Sequence, residues 1–228
     1  MSATTIEINL FNNSNYPMDF YFFQEPATYI GGDKVYSNSL LNYKLAPSSL
    51  GAMFKFQLEL QYYAGVQPVT QPLVTGQPSG YPSAIQEISL TPAHGVATNC
   101  TTMQIEPLGL TPQSIVASEP AVQPGAFRIV TPVYNSEITA YLGGAAVALN
   151  DGSVILSNFT KLTPNNFLDC QPVLKFYVAT GSYKSGTVMN FSAASVTAAL
   201  CDATKGNTVF RVDYDSTGQF TTQTYSPV

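Results

Sequence analysis

The chain predicts an all-β fold, a two-layer antiparallel β-sandwich, and three observations carry that prediction. Residues 54–62 alternate strictly, with Phe54, Phe56, Leu58, Leu60 and Tyr62 on one side and Lys55, Gln57, Glu59 and Gln61 on the other. Turn-forming residues stand between apolar runs at 150–153 and 215–218. The composition is rich in Tyr, Phe, Val, Ile and Thr and has no Trp, which suits pleated, half-buried surfaces. A closed β-barrel is the alternative architecture.

The elements follow in order. Residues 4–11 alternate, with Ile6, Ile8 and Leu10 facing the core, and end in Asn12-Asn13-Ser14-Asn15, residues that bond their own backbone in turns. Residues 18–24 are apolar on both faces and read as a central strand, forming with the first an N-terminal hairpin or a pair of neighbouring strands. Residues 25–34, with Pro26, Gly31 and Gly32, read as loop, and 35–41 as a further strand. The alternating run at 54–62 reads as one long antiparallel strand with a wet face.

From 65 to 125 the texture changes, for nine of the sixteen prolines fall there and proline removes a ladder donor. Short strands are expected at 85–90 and 101–106, with 65–83 as a long patternless loop of the kind that is usually functional. Strands resume at 127–131, 138–148, 154–159, 173–180, 187–191, 208–214 and 220–225. Residues 192–201 are Ala-rich with Ser192 as a candidate N-cap and predict one short helix, although Val196, Ala198 and Leu200 also alternate. Apolar patterning continues on both sides of the Pro/Gly-rich region, so residues 1–228 read as one domain, a size that all-β folds commonly reach.

Composition also limits function. Only 10% of residues are charged, against about 25% in typical domains, and 14 acids against 9 bases give a net charge of −5. Nucleic-acid binding is disfavoured, because phosphate affinity needs clustered Lys and Arg. No stretch is long and apolar enough for a membrane-spanning helix, and no signal-peptide pattern opens the chain, so a soluble cytoplasmic protein is expected, with a mature secreted form still open. Cys100, Cys170 and Cys201 lack the spacing of a metal site or a disulfide framework and are expected to be buried thiols. Sequons at Asn12, Asn99, Asn158 and Asn190 are as many as an Asn-, Ser- and Thr-rich chain produces by chance.

Catalytic patterns are scarce. His94 is the one histidine and sits in a Thr-Pro-Ala-His-Gly turn with no Gly-x-Ser-x-Gly elbow. The run from Asp213 to Gly218 begins like a calcium loop but has Thr224 where the bidentate Glu belongs, so a hairpin turn explains it better and no metal is expected. No phosphate-cradling glycine pattern or other cofactor motif is present. What remains are tyrosines in loops: Tyr29 before Ile30-Gly31-Gly32 and Tyr81 in Ser79-Gly80-Tyr81-Pro82 are the candidate ligand-binding residues, offering large amphipathic rings at low rotamer cost. The function expected is therefore non-catalytic binding or self-association through loop contacts with a small molecule, a sugar or a protein partner, a homo-oligomer included. The alternative is a hydrolase or isomerase using paired carboxylates in a sandwich cleft.

Overall fold

Because β-strands alternate their side chains, the residues buried on each face show how the layers stack. The computed structural model describes residues 5–59, 61–80, 84–90, 99–112, 121–149 and 151–225. Strands make up 55% of it and helix 4%, so the chain is all-β. In chain order they are β1 (Thr5–Asn12), β2 (Met18–Gln24), β3 (Thr28–Ile30), β4 (Tyr36–Leu45), β5 (Phe54–Glu59) and β6 (Tyr62–Pro68). There follow β7 (Ala84–Ile88), β8 (Cys100–Ile105), β9 (Leu108–Pro112), β10 (Phe127–Val130), β11 (Tyr141–Ala148) and β12 (Val154–Lys161). The last are β13 (Phe167–Gln171), β14 (Lys175–Thr180), β15 (Val188–Met189), the one-turn helix α1 (Phe191–Ala194), β16 (Ala199–Asp202), β17 (Val209–Tyr214) and β18 (Phe220–Tyr225), and a 3-10 turn at Ser48–Leu50 precedes β5. Among the described residues no helix is long and apolar enough to cross a membrane.

The strands form three sheets. A long one runs β16-β14-β2-β4-β12-β11-β6-β7, with β15 paired to β4; a second runs β18-β17-β1-β5 and a third β3-β13-β10-β8-β9. The sheets curl, and one is a half-barrel. Pairing is antiparallel except for β1 with β17 and β8 with β10, which run parallel, a departure from the purely antiparallel expectation. The long sheet shares one face between the two smaller sheets, and β11 shows how. Its Tyr141 and Ala145 enter a core with Phe127, Ile129 and Leu168 of the third sheet, while Val147, on the same side of the strand, joins Ile8, Phe56 and Phe210 of the second.

Two expectations change here. The alternating run at 54–62 is not one strand, since β5 ends at Glu59 in the second sheet and β6 starts at Tyr62 in the long sheet. Alternation persists because both strands contribute to inner faces on either side of the crossing, where Leu60 lies outside the described residues. Likewise β1 and β2 are not paired: they lie in different sheets and face each other across the core, with Ile8 and Leu10 packing in the same cluster as Phe20 and Phe22. As expected, β2 is central, held between β14 and β4. The turn at Asp215 is a β17–β18 hairpin in which Gly218 takes φ 84° and the Asp215 carboxylate accepts from the Thr217 and Gln219 amides.

Candidate functional site

The other face of the long sheet is also apolar, and what covers it defines the site. Tyr21 and Phe23 of β2 stack at 5.3 Å, and Phe23 stacks on Tyr177 of β14 at 5.2 Å. Phe191 meets Phe23 and Tyr177 edge-on, which seats α1 on the sheet. Helix α1 is shorter than the sequence suggests and is capped by Asn190, whose side chain accepts from the Ala193 amide, rather than by Ser192. Of the alternating residues in that segment, Val196 and Ala198 lie in the turn after α1 and only Leu200 lies in β16. The Tyr177 hydroxyl donates to Glu25 at 2.6 Å, and burial together with this carboxylate pushes the phenol well above its usual range.

Beside these aromatics a strap of chain, residues 69–80, crosses the sheet. Gly76 donates to the Val188 carbonyl, Val188 to that of Gln77, and Ser79 to that of Gly186, so β15 is held between the strap and β4. Side chains beneath secure it: Gln67 donates to the Ser79 carbonyl, Asn38 to the Ser79 hydroxyl and to the Leu156 carbonyl, and Gln71 to the Pro78 carbonyl. The strap falls inside the stretch that reads as functional loop, although residues 65–68 belong to β6.

Between the strap, the loop entering β4 and the turn into α1 lies a cavity of about 270 Å³. Its walls include Tyr36, Leu73, Val188 and Phe191, and its hydrogen-bonding groups come from Ser37, Thr75, Asn190 and Ser192. Tyr36 is fixed from two sides, stacking on Phe159 with centroids 5.7 Å apart while the Lys34 ammonium lies 5.1 Å from its ring centre. Among the described residues lining the cavity, Lys34 is the one charged side chain, and no acid, cysteine or histidine joins it. Such a lining can stack and hydrogen-bond but holds no acid–base pair.

Tyr29 lies elsewhere. It is on β3, paired with β13, rather than in a loop, and its hydroxyl points inward. The hydroxyl donates to the backbone carbonyl of Asn158 at 2.7 Å, with the Asn158 Oδ1 at 2.9 Å, and accepts from the Ala145 amide at 3.3 Å. A bulge in β12 explains the geometry: Ala145 faces Asn158 and Ala146 faces Leu156, leaving Ser157 as the extra residue that aims Asn158 at Tyr29. Burial drives the Tyr29 phenol well above its normal pKa. The residue is half-buried, and its hydroxyl is engaged inside the fold. Tyr81 and His94 lie outside the described residues.

The three cysteines are free and buried. Burial raises the Cys170 and Cys201 thiols far above their ordinary pKa, so neither is a ready nucleophile. Three of the four sequon asparagines, Asn12, Asn99 and Asn158, are buried, and only Asn190 is exposed. Among the described residues no three His, Cys, Asp or Glu side chains gather as a metal site requires. Two buried charged side chains, Arg128 and Asp169, face each other across β10 and β13 in a two-pronged pair of 2.6 and 2.7 Å, with the Arg128 guanidinium 3.9 Å from the Phe167 ring centre.

The cavity was missed by sequence reasoning because its lining comes from three separated segments, none of which carries a motif. One signal pointed toward it: β2 is apolar on both faces, so its outer face required a cover. Compared with protein-family models, curated proteins and solved structures, the chain matches none.

Proposed function

We propose that the chain is a non-catalytic binding protein that takes a hydroxyl-rich small ligand, of the sugar class, into the cavity between the strap and α1. The observation that carries this reading is the lining itself, apolar walls from Tyr36 and Phe191 beside uncharged donors and acceptors from Ser37, Thr75, Asn190 and Ser192. Binding sites of this kind combine apolar surface with a few polar groups that fix orientation. A carboxylate-dependent hydrolase or isomerase draws no support from the lining, where a lysine is the one charged group among the described residues.

The test is saturation-transfer NMR with a panel of mono- and disaccharides on wild type and on Thr75→Trp. Thr75 is exposed at the cavity wall, so an indole there fills the space without entering the core. Saccharide signals are expected with wild type and are expected to vanish in the variant at unchanged melting temperature. No signal from any saccharide, or equal signals from the two proteins, overturns the reading.

A further inference from the structure

We infer that the ligand is an anionic oligosaccharide running across the strap, with one part in the cavity described above and the next in a second recess beyond it; this rests on the sugar-binding reading. The second recess measures about 340 Å³ and is lined by Gly76, Pro78, Ser182, Tyr183, Lys184 and Thr187. The two are neighbours, because Thr75 and Val188 line the first while the adjoining Gly76 and Thr187 line the second. Each of the two, at 270 and 340 Å³, sits near the lower limit of small-ligand sites, about 300–1,000 Å³, so a longer chain would have to use both.

Charge gives the ligand its sign. Acids outnumber bases 14 to 9, yet each recess carries one lysine, Lys34 in the first and Lys184 in the second, and no acid among its described lining residues. Four other cations are committed to carboxylates: Lys55 to Glu7, Arg128 to Asp169, Lys175 to Glu25 and Arg211 to Asp213. Neither Lys34 nor Lys184 has a carboxylate within 4.0 Å among the described residues, and Asp33, next in sequence to Lys34, makes no ion pair with it. Two unneutralised ammonium groups in adjoining recesses suit a ligand with repeated negative charge.

The strap favours a saccharide over an acidic peptide. An extended peptide lying along residues 76–79 would need free backbone donors there, but the amides of Gly76, Gln77 and Ser79 are bonded within the chain and Pro78 has none. What the recesses offer instead are hydroxyls, from Ser37, Thr75 and Ser192 on one side and Ser182 and Thr187 on the other.

The experiment is calorimetric titration of the full chain with oligogalacturonate of one, two and four units, with cellotetraose as the neutral match and poly-glutamate as the peptide match. Affinity is expected to rise from one unit to four and to exceed that for cellotetraose, with the margin shrinking as salt is raised. Lys34→Gln and Lys184→Gln should each weaken tetramer binding about two- to fivefold, the range of an exposed charge pair. Lys55→Gln, on β5 of the second sheet and lining neither recess, should leave it unchanged. Three outcomes overturn the inference while leaving the sugar-binding reading intact: cellotetraose binding as tightly as the acidic tetramer, lysine variants without effect, or one unit binding as tightly as four. Equal binding of poly-glutamate overturns the saccharide assignment, and no binding by any saccharide overturns both.

Discussion

Replacing Tyr29 with Phe removes one oxygen and separates a structural role from a ligand-binding one. That oxygen joins β3 of the third sheet to the seam of the long sheet, donating to the Asn158 carbonyl at 2.7 Å and accepting from the Ala145 amide at 3.3 Å. A hydrogen bond of this kind contributes about 1 kcal/mol net, and leaving a buried donor such as the Ala145 N–H without this partner adds about 1–3 kcal/mol, so Tyr29→Phe should cost about 2–4 kcal/mol. For a chain of this size that corresponds to a fall of roughly 4–16 °C in melting temperature. Gly144 provides a second route to the same latch, since a Cβ there would come within 2.5 Å of the Tyr29 hydroxyl, and Gly144→Ala should therefore destabilise as well. Calorimetric melts of wild type and both variants, each paired with the saccharide titration, make the assay. Unchanged melting temperature in Tyr29→Phe, or lost saccharide binding at unchanged stability, would refute the structural role.

Two further expectations concern the core and its titration. Leu58, 2% exposed between the second sheet and the seam, should cost about 2–5 kcal/mol when cut to Ala, whereas Gln57→Ala on the opposite face of β5 should cost under about 1 kcal/mol; equal shifts in denaturant midpoint would mean that the strand is turned over. Burial, with the Tyr183 phenol adding to it, pushes the Tyr21 phenol from an ordinary 10.0 up to about 12, so the fold favours its neutral form. That contribution is complete below pH 10 and is lost as pH rises toward 12. Stability followed by denaturant melts should therefore decline across this window, and Tyr21→Phe should flatten the decline.

Much of the strand inventory was legible because inner-face alternation is a local signal. β1, β11, β12, β17 and β18 fall where their patterns place them, as do the turns ahead of β12 and β18. Elements with no periodicity of their own were not legible. β3 is three residues beside Pro26, Gly31 and Gly32, so Thr28-Tyr29-Ile30 reads as loop, and only pairing with β13 makes it a strand. β13 was missed for a related reason, being a five-residue strand whose partners β10 and β3 lie in other segments, whereas β9, a hairpin partner of β8, was hidden by Pro107, Gly109 and Pro112. The change of sheet between Glu59 and Tyr62 was hidden because alternation continues through it. The candidate site was the least legible part: its polar groups gain meaning only when Lys34, Thr75 and Ser192 are brought together, and no spacing in the chain announces that encounter.

The parallel pairing of β1 with β17 has a consequence for how the protein is made. Glu7 stands opposite Val209, so one edge of β1 stays without its partner until synthesis has passed β17. The other edge is satisfied early, by β5. At about 5–20 residues per second, the roughly 150 residues between Glu59 and Val209 take on the order of 10–30 s to emerge from a ribosome. During that interval Ile6, Ile8 and Leu10 belong to a half-built core beside an open strand edge, the kind of surface on which nascent chains stick to one another. Yield in a cell should therefore respond more to elongation speed and to chaperones that hold nascent chains than to the stability of the finished fold.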